Sequence, residues 1–458
     1  MRLSAKWGQH FVETLEHSNT GIQPARDWRW LLVVAWAALA LSADLKVFVH
    51  PRIHWFTSVI TLVPVFLSCR QTLGLGRIRF MAPVLLYCGA IVLTAFFSGQ
   101  ASYDLLQAAK VALIFVLSLP LMFNAQLSDA AFTGIKVATV LNAILLILGI
   151  LGVEDVGRLM AVNRWGTILN MPGSLSRLGI LPFAYAAYGL FRKGRLVWKN
   201  LVLLAASIFV AVMDGSRTAA LGLLLGTTFV AAISFWKRGA KATWRMLAMV
   251  MPLLALAVLF APGEHRVAQL GQVFIGNSTS PEASNGGATT NGVSSEISNG
   301  GATRSSALEA IDDTRWGMIQ TALAAVLNHP IVGTGMGTTT HPTRTGPMVV
   351  HMAYLQIWAD AGLLGFIGYC WIVFGWLALI PPLLRRVNLG KEEEGAERVV
   401  GAAFMLLYYA WVGLFHPISS EWSEWATYLI PLSMLLTIVE DEPMPGLARR
   451  LRGRRPSH

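Results

Sequence analysis

His351 stands where a long hydrophilic stretch, residues 261–350, gives way to an apolar run opening Met352-Ala353-Tyr354-Leu355-Gln356. A histidine at the lip of a membrane helix is a titratable base held at a water boundary. Arg315 lies in the same hydrophilic stretch, and Arg217 follows Asp214-Gly-Ser at the head of an earlier apolar run. Guanidinium groups stay protonated and bind phosphate oxygens in pairs. One base and two fixed cations at a membrane surface suit chemistry on a lipid-linked phosphate. Arg217 is the stronger anion ligand, because a helix N-terminus adds its dipole to the charge. At neutral pH an unperturbed imidazole is mostly free base, able to accept a proton from a hydroxyl. The structural alternative for His351 is an interfacial histidine bonded to a carbonyl, the commoner role of a lone histidine.

The elements that must position these groups follow from composition. Hydrophobic residues make up 54% of the 458 and charged residues 13%, so no ordinary water-facing surface can be built. The chain reads as an all-α polytopic integral membrane protein, because a helix satisfies its own backbone across the bilayer. About 12 transmembrane helices are expected, centred near Trp36, Ile60, Ile91, Ile114, Leu145, Phe183, Ala206, Leu224, Leu254, Phe374, Leu407 and Leu432. Residues 30–260 would hold helices one to nine and residues 351–440 helices ten to twelve. Of the 36 Lys and Arg, 24 fall in the arm 1–29, four connecting segments and the tail 441–458. That bias puts both termini in the cytoplasm and residues 261–350 in the periplasm. The net charge of +11 is thereby a topology signal beside anionic lipid, with no nucleic-acid partner implied. The arm has no small-residue cleavage site after a short apolar core, so the first helix serves as targeting signal.

The three cysteines, Cys69, Cys88 and Cys370, have no Cys-x-x-Cys spacing, and no Walker loop or dinucleotide fingerprint is present. No metal and no cofactor is expected. The hydrophilic stretch has two parts. In residues 276–306, Ser284-Asn-Gly-Gly-Ala-Thr289 returns as Ser298-Asn-Gly-Gly-Ala-Thr303, a composition expected to be disordered. Residues 308–350 are expected to be helical. Asp312-Asp313-Thr314 predicts a helix start, which would place Arg315 in the first turn with the backbone amides beside it. Gly333-Thr-Gly-Met-Gly337 then predicts a turn of close backbone approach.

The order Asp214-Gly-Ser-Arg-Thr-Ala219, Arg315-Trp316, His329-Pro330-Ile-Val-Gly333-Thr-Gly335 and His351-x-x-Tyr354-Leu355-Gln356, with Gly362-x-x-Gly365 behind, resembles the O-antigen ligase and O-antigen polymerase superfamily. The similarity spans roughly residues 163–368 and includes Asn163-Arg164-Trp165-Gly166. It departs at Met352, where the family often has Asn, and in the low-complexity insertion. The resemblance implies a GT-C-like membrane glycosyltransferase with one large periplasmic loop containing short helices. It implies metal-independent, inverting transfer of a glycan from undecaprenyl diphosphate to lipid A-core, or to another lipid-linked glycan in a polymerase. It further implies that Arg217 and Arg315 hold the diphosphate while His351 activates the acceptor hydroxyl. The bacterial inner membrane is the implied location.

Other residues carry two readings each. Arg164 and Arg177 flank a short periplasmic segment and would widen a cationic funnel, or simply meet water and lipid phosphate. Asp214 would cap the helix at Gly215 or pair with an arginine, capping being preferred. Glu421 and Trp422 belong to a strip with Glu424 and Trp425 that suits sugar hydroxyls and rings, or an interfacial aromatic belt. Lys110 and Lys136 would snorkel. His329 and His341 are read as structural. A transporter of lipid-linked oligosaccharide or polysaccharide is the alternative of another class, but no internal repeat of the kind transporters carry is visible.

Overall fold

The computed structural model describes residues 27–69, 81–153, 156–160, 164–192, 194–259, 304–343, 346–386, 393–417 and 420–441. The N-terminal arm, the repeat tract 276–303 and most of the basic tail lie outside the described residues. Fourteen helices organise the rest: α1 (Trp28–Ala40), α2 (Ile53–Cys69), α3 (Ala82–Ala95), α4 (Ala101–Met122), α5 (Ala125–Ile150), α6 (Ser174–Ile180), α7 (Phe183–Tyr188), α8 (Trp198–Met213), α9 (Arg217–Arg238), α10 (Ala240–Leu259), α11 (Arg304–Asn328), α12 (Ala353–Phe374), α13 (Glu393–Val412) and α14 (Trp422–Asp441). Helices of a single turn or two also occur between them. Two hairpins matter for the site: β1 (Gly157–Met160) with β2 (Arg164–Thr167), and β3 (Thr340–Thr343) with β4 (Gly346–Val349).

A helix occupies each of the twelve apolar centres. Among the described residues, five are long and apolar enough to cross a membrane: α4, α5, α9, α10 and α12. The centre near Phe183 is broken into α6 and α7 around Leu181-Pro182, because proline cannot supply the backbone N–H that a continuous helix needs. Large apolar side chains such as Ile60, Leu85, Leu224, Trp244 and Trp371 are exposed on the outside. Exposed apolar belts of this kind belong against lipid, and the chain is a multi-pass helical membrane protein. Inside the bundle, small residues allow close packing. A Cβ on Gly134 would lie 2.5 Å from Ala37 Cβ across the α1–α5 contact, and one on Gly368 would lie 2.7 Å from Tyr87 N across α3–α12.

Two expectations for the hydrophilic stretch need correction. The helix begins at Arg304, because Ala307-Leu308-Glu309-Ala310 are good helix formers upstream of the two aspartates. It also stops at Asn328. Pro330, Pro342, Pro347 and several glycines exclude helix from the remainder, and residues 340–349 form the β3–β4 hairpin with Thr340 opposite Val349.

Between α11 and that hairpin the chain crosses a break in α12. Gly362 has φ +69° and interrupts the helix, freeing backbone groups that the incoming loop takes up. Thr334 N donates to Ala359 O at 2.9 Å, Gly335 N to Asp360 O at 2.9 Å, and Leu363 N to Pro330 O at 3.0 Å. Two fully buried carboxylates then grip the loop. Asp360 accepts from Gly337 N at 2.8 Å and from the Thr339 hydroxyl at 2.6 Å, and Asp104 of α4 accepts from Met336 N at 2.7 Å. Irregular backbone at this depth is tolerated because protein groups satisfy it.

The crossing predicts an unequal response to two glycine substitutions. Both Gly362 and Gly346 have positive φ, but a Cβ on Gly362 would meet Ile331 O at 2.0 Å, whereas nothing lies within 4 Å of one on Gly346. Gly346→Ala should cost about 1–2 kcal/mol from backbone strain alone. Gly362→Ala should cost clearly more and lower the melting temperature in detergent further. Equal melting temperatures for the two variants would mean that the loop is not held at the break.

Candidate active site

The site is assembled where the β3–β4 hairpin hands the chain to α12. His351 Nδ1 lies 2.9 Å from Val349 O. A carbonyl can only accept, so Nδ1 carries the proton and Nε2 is the basic nitrogen. Met352 takes the N-cap position of α12 without a side-chain cap bond. Ala353 N instead donates to Gly413 O at 2.8 Å and to His416 O at 3.0 Å, in the turn after α13. The Tyr354 hydroxyl adds a bond to Ala410 O at 2.6 Å. The start of α12 is thus fastened to the end of α13, which sets His351 beside His416.

A second fastening organises the arginines. Asp214 is fully buried between α8 and α9. Its carboxylate accepts from Ser176 N at 2.9 Å and from Gly173 N, the free amides at the start of α6. Arg164 clamps the same residue, with Nη2 2.5 Å from Oδ1 and Nε donating to the Asp214 carbonyl at 2.8 Å. Asp214 therefore caps α6 and pairs with an arginine, and the expectation that it caps its own following helix is corrected. Ser216 does that instead, accepting from Ala219 N at 3.0 Å. Its hydroxyl sits two positions closer to the amides that need an acceptor. Arg217 is the first residue of α9, as the sequence predicts; its side chain lies outside the described atoms, as does all of Asn163.

α6 carries Arg177 into a cleft of about 480 Å³, whose wall includes Leu181, Ala353, Tyr369, Tyr408, Tyr409, His416 and Glu424. The lining is largely apolar and aromatic, with cation, imidazole and carboxylate added. Tyr408 is 5% exposed, and its hydroxyl has no hydrogen-bond partner among the described residues. Such a group calls for a ligand or water. Burial first, then the charges of Arg177, His351 and Arg315, hold the His416 imidazole down to about 4. Asp214 opposes that shift. Arg177, Arg315 and His351 thus act electrostatically on His416, and Arg177 lines the cleft with it.

Arg315 is exposed and lies in the middle of α11. The expected gathering of helix N-terminal amides around it does not occur, since the helix starts eleven residues earlier by number, at Arg304. His341 Nδ1 bonds the Thr321 hydroxyl at 2.9 Å, and its ring covers Gly317, so it docks the hairpin on α11. His329 orders its turn through its carbonyl, which accepts from Gly333 N at 3.0 Å. Glu421 lies 3.8 Å from Lys110, a contact that replaces simple snorkelling of that lysine. Lys136 rests 4.5 Å over the Phe132 ring. Trp422 is fully buried, edge-on to Trp36 and Trp55, and leaves no open face for a sugar. Sequence reasoning passed over His416 and Tyr408. The usable signal was His416-Pro417, a polar pair ending an apolar run. Among the described residues, no three His, Cys, Asp or Glu side chains group as metal ligands.

A pH dependence follows from His416. Its folded value lies below the ordinary 6.5, so the fold favours the neutral ring. The contribution to stability is complete above about 6.5 and is lost as pH falls toward 4. Unfolding in detergent, followed between these limits, should show wild type losing more stability on acidification than His416→Gln, which keeps hydrogen bonding but cannot charge. Parallel curves would remove His416 as a cause.

No curated protein sequence matches the chain. Residues 201–370 match the family model described as O-antigen ligase. That segment runs from α8 through Arg217, Arg315 and His351 into α12, and over it the chain is similar to the O-antigen ligase family.

Proposed function

We propose that the chain is a glycosyltransferase that moves a glycan from undecaprenyl diphosphate to lipid A-core at the periplasmic face of the bacterial inner membrane. The observation that carries this reading is the His351 tautomer. With Nδ1–H directed at Val349 O, Nε2 is the nitrogen left to take a proton, near a cleft that Arg177 lines. In the reaction, the acceptor hydroxyl oxygen bonds to the anomeric carbon while the bond from that carbon to the diphosphate breaks. The hydroxyl proton passes to His351 Nε2, and the electron pair leaves on the diphosphate oxygen. Attack opposite the leaving group inverts the anomeric centre. Arg217, Arg315 and Arg177 meet the growing charge, which lets the transfer proceed without a metal. Arg164 supports the site by holding Asp214, and Glu421 by its contact with Lys110.

The orientation is supported by charge. Arg192, Arg195, Lys199, Lys237, Arg238, Lys241 and Arg245 cluster at the helix ends opposite the cleft, as on a cytoplasmic face. A polymerase that adds the glycan to another lipid-linked repeat would use the same donor and the same groups. A flippase for lipid-linked oligosaccharide makes no demand on His351.

Transfer by purified protein in nanodiscs with EDTA separates these readings. The expected product is glycan on lipid A-core. His351→Ala should lower the rate about 10²–10⁴-fold, and Arg217→Ala about 10²–10³-fold. Lengthened lipid-linked chains would identify a polymerase. Full activity in His351→Ala would reject the proposed base, and no product while glycan still crosses the bilayer would favour a flippase.

A further inference from the structure

Next to the aromatic cleft lies a second compartment. The two share Arg177, Glu424 and Thr427, so they meet along one wall. Their chemistry differs. The first is lined by tyrosines, leucine and valine, whereas the second presents Asp44, Lys46, Ser174, Ser423 and Glu424.

The second lining has two carboxylates, Asp44 and Glu424, against two cations, Lys46 and Arg177. With charges balanced, it offers little net attraction to a diphosphate. Ionised carboxylates only accept hydrogen bonds, so they call for donors, which sugar hydroxyls supply and phosphate oxygens do not. Lys46 and the Ser423 hydroxyl answer the sugar's own acceptor oxygens. The wall is also fixed before any ligand arrives. Asp44 Oδ2 accepts from Met171 N at 2.7 Å and from the Ser174 hydroxyl, while Ala43 N donates to Asn170 Oδ1 at 3.0 Å. Both bonds to the Asp44 carboxylate fall on Oδ2, leaving Oδ1 outside this tie. A preorganised wall lowers the ordering cost of binding.

We propose that this compartment is the acceptor subsite, where a neutral sugar ring lies between Asp44, Lys46, Ser423 and Glu424 and presents its hydroxyl across Arg177 to the aromatic cleft. The assignment rests on the transferase reading and deepens it. It names the acceptor's chemical class, a neutral hexose or deoxyhexose end, and separates that end from the lipid-diphosphate donor. It applies whether that sugar belongs to lipid A-core or to a growing chain.

Two variants change the compartment without touching the proposed base. Ser423→Phe fills it from the first turn of α14, and Lys46→Gln removes its cation at a partly exposed position, which covers the case of misfolding in the first. Three quantities are measured on protein in nanodiscs: binding of core oligosaccharide and of methyl glucoside, galactoside, mannoside and rhamnoside by saturation-transfer NMR, affinity for undecaprenyl diphosphate, and transfer kinetics. Ser423→Phe should raise the acceptor KM more than tenfold, Lys46→Gln about threefold or more, and both should leave the undecaprenyl diphosphate affinity unchanged. Wild-type transfer with unchanged acceptor KM in both variants would overturn the subsite and leave the transferase reading standing. Sugar binding lost in the variants, with no transfer by wild type, would support the subsite and overturn the transferase. Absence of both sugar binding and transfer would overturn the two together.

Discussion

Asp104, Asp214 and Asp360 are buried carboxylates in a bundle whose outer surface is apolar. Charges removed from water in this way persist only when their oxygens are met by donors. In this protein backbone amides do most of that work: Met336 N on Asp104, Gly337 N on Asp360, and Gly173 N and Ser176 N on Asp214. The requirement runs in both directions. A broken helix or a free helix start leaves unsatisfied N–H groups, and a carboxylate without a partner leaves unsatisfied lone pairs. Each aspartate resolves both at once, so irregular backbone is held at fixed places within an otherwise regular helical bundle.

The candidate base and two of the candidate cations, Arg177 and Arg217, follow from these fixed points. The loop held by Asp104 and Asp360 leads into the β3–β4 hairpin, which ends at His351. Asp214 holds the start of α6, which carries Arg177, and sits two residues before the cap of α9, where Arg217 begins. The rigid elements therefore place the base and the cations separately and from different parts of the chain. Such placement suits charge stabilisation by cations already oriented before the charge develops.

The concentration of positive charge has an electrostatic consequence. His416, within the field of Arg177, Arg315 and His351, is kept neutral by burial and by those neighbours. A neutral imidazole there can donate or accept a hydrogen bond without adding a further charge to repel the arginines. The Tyr408 hydroxyl, without a hydrogen-bond partner among the described residues, stands in the same cleft. Together they make the interior of the cleft polar at selected points while its walls remain aromatic, a combination suited to a ligand that is part lipid and part diphosphate.

The twelve apolar centres, the start of α9 at Arg217 and the turn through Gly333 were legible in the sequence, because hydrophobic runs, proline, glycine and capping residues act over a few neighbouring positions. His351 was legible as a residue type at a boundary. Its tautomer was not, since that depends on a carbonyl made available by a hairpin. The position of Arg315 within α11 was misread because local helix propensity upstream outweighed the two aspartates that resembled a cap. Asp214 was misassigned for a related reason: its partners, Gly173, Ser176 and Arg164, come from segments distant in the chain. The sequence by itself determined a helical membrane protein and its candidate base and cations. Tertiary structure decided which helix start each carboxylate satisfies and that His416 joins the site, because hydrogen bonding and desolvation depend on neighbours that only folding brings together.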